Sequence, residues 1–140
     1  MSRENVEMVR AAIDAVARQD VTRLIELADP EVEWHSFLAQ LGEGGIYHGH
    51  EGLRRYVKDL SDAWEFLRTD VDDFLAVGAV VVVVGRLRFR GKGSGVETES
   101  AAGYVTRFRD GRLVYMRAFR DPEEALMTLG LSERDAHADS

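Results

Sequence analysis

YVTRFRDGRLVYMRAFRDPEEALMTLG, residues 104–130, decides how this chain folds. Apolar residues alternate on both sides of Asp110-Gly111, a pair suited to the two positive φ angles of a type I′ turn, so a tight β-hairpin is predicted there. Alternation sets Tyr104, Thr106 and Phe108 on one face of the first strand. It sets Val114, Met116, Ala118 and Arg120 on one face of the second. The hairpin then runs straight into a helix start. Asp121 is an N-cap, Pro122 takes the first helical position, and Glu123 and Glu124 complement the positive end of the helix. ALMTL continues the helix, and Gly130 suits the left-handed residue that follows it.

Working back from the hairpin, the strand-like segments TDVDDFLAV and AVVVVVGRLRFRG flank Gly78 as a second hairpin. GKGSG turns that pair into VETESAAGYVTRFR. The first part of the chain is helical instead. Val6, Val9, Ile13 and Val16 recur at helical spacing, Asp20 caps a short second helix VTRLIELA, and Asp29-Pro30 stops it. EVEWHSF reads as a short strand and LAQLGEGGIYHG as a glycine-rich loop, long enough to serve a site or a lid. Leu53, Tyr56, Val57, Leu60, Trp64 and Leu67 predict a long third helix from roughly Glu51 to Phe66.

The predicted order is α-α-β-α-β-β-β-β-α. Helices segregated from a mostly antiparallel sheet make an α+β architecture. A strongly curved sheet wrapped around the long helix would leave a cone with an apolar mouth, where small molecules usually bind. Residues 1–131 are expected to form one domain. Residues 132–140 form a polar tail in which His137 has no expected role.

Composition narrows the function. A hydrophobic fraction of 45% and a charged fraction of 31% over 140 residues describe an ordinary globular domain. There is no cysteine, which removes disulfides and thiolate chemistry. AVVVVV, the longest apolar run, is too short to span a bilayer, and no apolar leader follows the charged N-terminus, so the cytoplasm is the expected location with no membrane partner. A net charge of −7 and a pI near 5.1 argue against nucleic acid, despite the alternating Arg86, Arg88 and Arg90. That arginine row reads as a solvated or subunit-facing strand face.

Several pieces together resemble the nuclear transport factor 2-like superfamily, most closely its SnoaL-like polyketide cyclase and ketosteroid isomerase branch. These are the two N-terminal helices ending at ADPEVEW, IYHGHEGLRRYV at the start of helix three, FRDGRLVYMRAFRD across the last hairpin, and EEALMTLGL at the end. The resemblance implies a deep apolar pocket inside a curved sheet and homodimers packed through their sheets. The alternating Val80, Val82 and Val84 agree with the second expectation, because they leave apolar strand surface to cover. The fold hosts isomerases, cyclases, dehydratases, epoxide hydrolases and binding domains, so it does not fix a reaction.

The resemblance places His35 where ketosteroid isomerase keeps its general base and Tyr104 where that enzyme keeps an oxyanion donor. It places Ala12 at the catalytic tyrosine, which is therefore lost. Asp121 is the nearest match to the acid/base aspartate of SnoaL-like cyclases. One expectation is an isomerase, cyclase or dehydratase of small apolar or polyketide-like carbonyl compounds, with His35 abstracting a proton and Tyr104 stabilising the enolate oxygen. The other is a binding domain with the same pocket and no turnover, in which His35 merely lines the wall and Asp121 only caps a helix. Trp34, Tyr56, Trp64 and Met116 are expected to line the pocket. Arg120, costly on an inward face, should pair with an internal acid or receive a ligand anion. His48, His50 and Glu51 offer one ligand pair that His35 would have to complete, short of a closed shell, so neither metal nor cofactor is expected.

Overall fold

The computed structural model describes residues 2–37 and 45–130. Helices α1 (Ser2–Arg18) and α2 (Val21–Leu27) lead into β1 (Ala28–His35), β2 (Ile46–His48) and helix α3 (Gly49–Ala63). Strands β3 (Trp64–Val77), β4 (Val80–Gly91), β5 (Glu97–Arg109) and β6 (Arg112–Phe119) follow, and α4 (Pro122–Met127) closes the domain. One six-stranded sheet in the order β2-β1-β6-β5-β4-β3 curves without closing. Every neighbouring pair is antiparallel except β1 with β6.

The Asp110-Gly111 hairpin is present as expected. Asp110 (φ 53°) and Gly111 (φ 77°) form the two-residue turn between β5 and β6. The Asp121 carboxylate accepts from the Glu123 amide at 3.0 Å, Pro122 opens α4, and Gly130 adopts a φ of 71°. Asp20 likewise caps α2 by accepting from the Arg23 amide.

Three boundaries differ from expectation. Helix α3 ends at Ala63, and Trp64 and Phe66 already belong to β3. A bulge between Trp64 and Phe66 turns both Trp64 and Leu67 inward, three residues apart, which imitates helical spacing. A second bulge at Arg107/Phe108 turns Leu113 inward together with Met116 and leaves Val114 outside the pairing. Strand β2 hides at the end of the glycine-rich stretch, pairing with the already longer β1. Most of the expected loop, residues 38–44, lies outside the described residues, as does the tail from 131 onward.

The concave face of the sheet carries Trp34, Val81, Val83, Thr106, Met116 and Ala118, packed under α1 and α3. The convex face divides in two. Its valine half is sealed: α4 sets Ala125 and Leu126 against Val82, Val105 and Phe119, and Val82 is fully buried. Gly103 permits this seat, since a Cβ there would meet the Ala125 Cβ at 2.8 Å and the Pro122 Cα at 2.9 Å. The expectation that Val80, Val82 and Val84 lie open for a partner is thus corrected, because helix α4 buries Val82 and leaves Val80 and Val84 half-buried beside it. The other half is a ladder of ion pairs. Arg86 meets Asp72 and Glu99, Arg88 meets Asp70 and Glu97, and Arg90 meets Glu65 and Glu97, at 3.3–3.6 Å.

Candidate functional site

Two chambers lie between the concave face and the helices, sharing Ser36, Phe37, Tyr56 and Leu67 as a common wall. The inner one has a volume of about 60 Å³ and is almost wholly apolar. α1 contributes Val9, Ala12, Ile13 and Val16 to it, and the sheet contributes Trp34, Val83, Leu113, Met116 and Ala118. The outer one, about 280 Å³, is walled by Tyr47, Leu60, Trp64, Leu87 and Phe89 and carries Asp59, Ser100 and Arg120.

Strand alternation brings Tyr104 and Thr69 into the inner wall from β5 and β3. Their hydroxyl oxygens are 2.8 Å apart, one donating to the other. Burial pushes the Tyr104 phenol up to about 12, against a small opposing effect of the Thr69 hydrogen bond. Thr106 is already committed, donating to the Val81 carbonyl at 2.8 Å. Tyr56 reaches the same chamber from α3, and burial raises its pKa further still, with the neighbouring Tyr104 adding to the effect. Trp34 packs against Tyr56 with ring centroids 5.2 Å apart. Its buried indole N–H has no hydrogen-bond partner among the described residues, although it lies near enough to the Tyr56 hydroxyl to favour that group's ionised form. Among the described residues no carboxylate and no histidine lines the inner chamber.

The outer chamber holds the charge. Asp59, on α3, accepts from the Tyr47 hydroxyl at 2.6 Å, a short charge-assisted bond. Burial and that carboxylate together push the Tyr47 phenol up to about 12. Arg120 follows the last residue of β6 and continues the inward series of Met116 and Ala118, so it meets the chamber from the sheet side.

Of the residues expected at a site, Tyr104, Trp34, Tyr56 and Met116 line the inner chamber, and Trp64 and Arg120 line the outer one. His35 lines neither. In β1 it is Trp34 that shares the inward face with Met116, so His35 turns to the convex side beside Tyr115 and Arg117. Its Nε2–H donates to the Glu33 carboxylate at 2.8 Å, and its ring lies 5.3 Å from that of Tyr115. The pairing of His35 and Tyr104 across one ligand is therefore corrected by a single step of the strand pleat. Asp121 is exposed at the α4 cap and absent from both linings. His50 donates to the Ala28 carbonyl at 2.9 Å, and His48 is the exposed N-cap of α3, so the three histidines go to three different places.

Asp59, Thr69 and Ser36 were not singled out from the sequence. Asp59 had a faint signal: it falls three residues after Tyr56 and next to Leu60, at the edge of the apolar stripe of α3. Ser36 donates its hydroxyl to the Gly45 carbonyl at 2.9 Å, and its amide donates to the same oxygen. The two ends of the intervening segment are thus tied together at the wall the chambers share.

No curated protein matches the chain. Among solved structures it is similar to an NTF2-like protein of unknown function from Burkholderia pseudomallei, at 25% identity over 91% of this chain and 98% of that one, with a TM-score of 0.74. TerC co-crystallized with polyporic acid shares 22% identity, covering 84% and 92% of the two chains at a TM-score of 0.73. An LEH-like epoxide hydrolase from M. tuberculosis shares 12% identity over 97% and 86%, at 0.71. Similarities at those last two levels speak for the fold alone. A model of the SnoaL-like domain family matches residues 9–116, most of the chain. The chain belongs to the SnoaL-like domain family.

Proposed function

We propose that this protein binds a flat, largely apolar small molecule that places a carbonyl oxygen between Tyr104 and Tyr56 at the inner end of the site. The observation that carries this is the Tyr104–Thr69 hydroxyl pair set in an otherwise apolar chamber. When the Thr69 hydroxyl donates to the Tyr104 oxygen, the phenol O–H is free to donate to a ligand oxygen without leaving its rotamer. Tyr56 is the second donor, and the Trp34 N–H beside it, without a partner among the described residues, is a third. Buried donors of this kind discriminate strongly, because a ligand lacking the oxygen leaves them unpaired.

The inner chamber's described residues offer donors and no proton acceptor stronger than a hydroxyl, so they support binding rather than an isomerase or cyclase reaction driven by His35. Calorimetric titration with acetylnaphthalene and with ethylnaphthalene, which differ by the carbonyl, tests the proposal. The ketone should bind about tenfold or more tightly. Tyr104→Phe should remove most of that margin, while its effect on ethylnaphthalene stays small. Equal affinity for the two compounds in the wild-type protein would overturn it.

For assembly, we propose a homodimer through the ion-pair half of the convex face. Support comes from the alternation of arginine and acid rows there, which lets the surface face a second copy of itself with opposite charges opposed. Light scattering at micromolar concentration should return twice 15.7 kDa, and a particle of 15.7 kDa would end the proposal.

A further inference from the structure

We infer that the outer chamber recognises an anionic group, so that the ligand is a flat apolar acid with its carbonyl oxygen inward and its carboxylate at Arg120. This rests on the ligand-binding function proposed for the two chambers and adds the chemical class of the ligand.

The arginines of this protein are, with few exceptions, spoken for. Those of the convex face sit in ion pairs. Arg109 meets Asp29, and Arg107 and Arg117 lie over the rings of Tyr115 and Phe119. The cations that line shallower hollows are committed too: Arg54 to Glu51, Lys58 to Asp62, Arg55 to the Tyr47 ring and Arg10 to the Phe74 ring. Arg120 differs. Solvent-exposed just past the end of β6, it borders the mouth of the chamber walled by Trp64, Phe89 and Tyr56, and it makes no ion pair, hydrogen bond or ring stack with another described residue.

A chain of net charge −7 has acids to spare, and an arginine left without one beside an apolar chamber is set for an anion that arrives from outside. The one carboxylate among the described residues of the same wall does not take the role. Asp59 stands on α3 and is held by the Tyr47 hydroxyl at 2.6 Å, a bond to a phenol rather than to the guanidinium. Its charge repels a ligand acid from the helix side and so favours the sheet side, where Arg120 lies. The planar guanidinium suits a carboxylate, which it can grip through two parallel N–H donors.

Titration of the wild-type protein with acetylnaphthoate, its methyl ester and the corresponding ammonium compound, acetylnaphthylmethylamine, tests the inference. The acid should bind about tenfold more tightly than the ester, a margin of the size of one charge-assisted hydrogen bond. Arg120→Gln should bring the acid down to the ester's affinity, and Arg120→Lys should keep part of the margin, as a point charge without the fork does. Equal binding of acid and ester, a preference that survives in Arg120→Gln, or tightest binding of the ammonium compound would overturn it. If the ester still binds in a carbonyl-dependent way, only the anion site falls. If none of the three binds, the pocket reading falls with it.

Discussion

The two faces of the sheet are built from the same strands and treat polar groups in opposite ways. On the convex face Arg86, Arg88 and Arg90 find acids on both neighbouring strands, so the charges neutralise one another within the protomer. On the concave face the described polar groups are few, and beside the committed Thr106 several are left with capacity: the buried Tyr104–Thr69 pair, Tyr56 and the Trp34 N–H, with the exposed Arg120 at the rim. Polar groups that satisfy each other hold a surface together at little gain, whereas buried polar groups kept short of partners point to something that completes them.

The largest expected effect comes from carrying the convex chemistry inward by one residue. Val83 is fully buried in the inner chamber, and its neighbour Val84 faces the convex side across from Asp73. Val83→Arg should cost about 4 kcal/mol or more, because the charge has no partner there. Val84→Arg should cost only about 1–2 kcal/mol, because the site is half-buried beside the α4 cluster and has Asp73 across from it. Urea denaturation of the two variants checks the contrast, and similar losses for both would break it.

A smaller effect should appear in alkali. Burial holds the Tyr104 phenol at about 12 in the folded protein, against 10.0 for an open chain, and Tyr47 is shifted the same way. An acid whose folded pKa is raised contributes stability that is complete below about pH 10 and lost as pH climbs through about 12, because the unfolded chain ionises first. The loss attributable to Tyr104 should be roughly 2–3 kcal/mol, and Tyr104→Phe should remove that part of the slope. The phenolate absorbance should rise together with unfolding, and early ionisation of every tyrosine in the folded state would contradict it.

The smallest effect belongs to the ladder. Arg88→Ala should change stability by less than about 1 kcal/mol, and by less again in high salt. Thermal melts at two ionic strengths, run at a protein concentration low enough for the protomer alone, measure it, and a large salt-independent loss would mean that the ladder holds the protomer's fold.

The elements legible in the sequence were those whose signal is local. Asp110-Gly111 needs two positive φ angles, and Asp121-Pro122 announces a helix start from four neighbouring residues, so both could be read directly. β2 was hidden because three residues hold their shape only by pairing with β1, a contact across the chain. The end of α3 was overrun because a bulge gave Trp64 and Leu67 a helical spacing inside a strand. The site suffered from the same arithmetic. Alternation counted from the hairpin aimed Tyr104 correctly into the chamber, but the resemblance alone aimed His35, and one step of pleat put Trp34 there instead. Asp59 and Thr69 became visible only when separate elements met around a common space.

The central claim is that the inner chamber holds a ligand carbonyl by donated hydrogen bonds. The carbonyl stretch of bound acetylnaphthalene, isolated by infrared difference spectroscopy with a carbonyl isotope label, reports on this directly. A band shifted to lower frequency than in an alkane solvent, and moved back toward the alkane value in Tyr104→Phe, is the predicted result. A bound ketone whose stretch matches the alkane, in wild type and variant alike, would contradict the account.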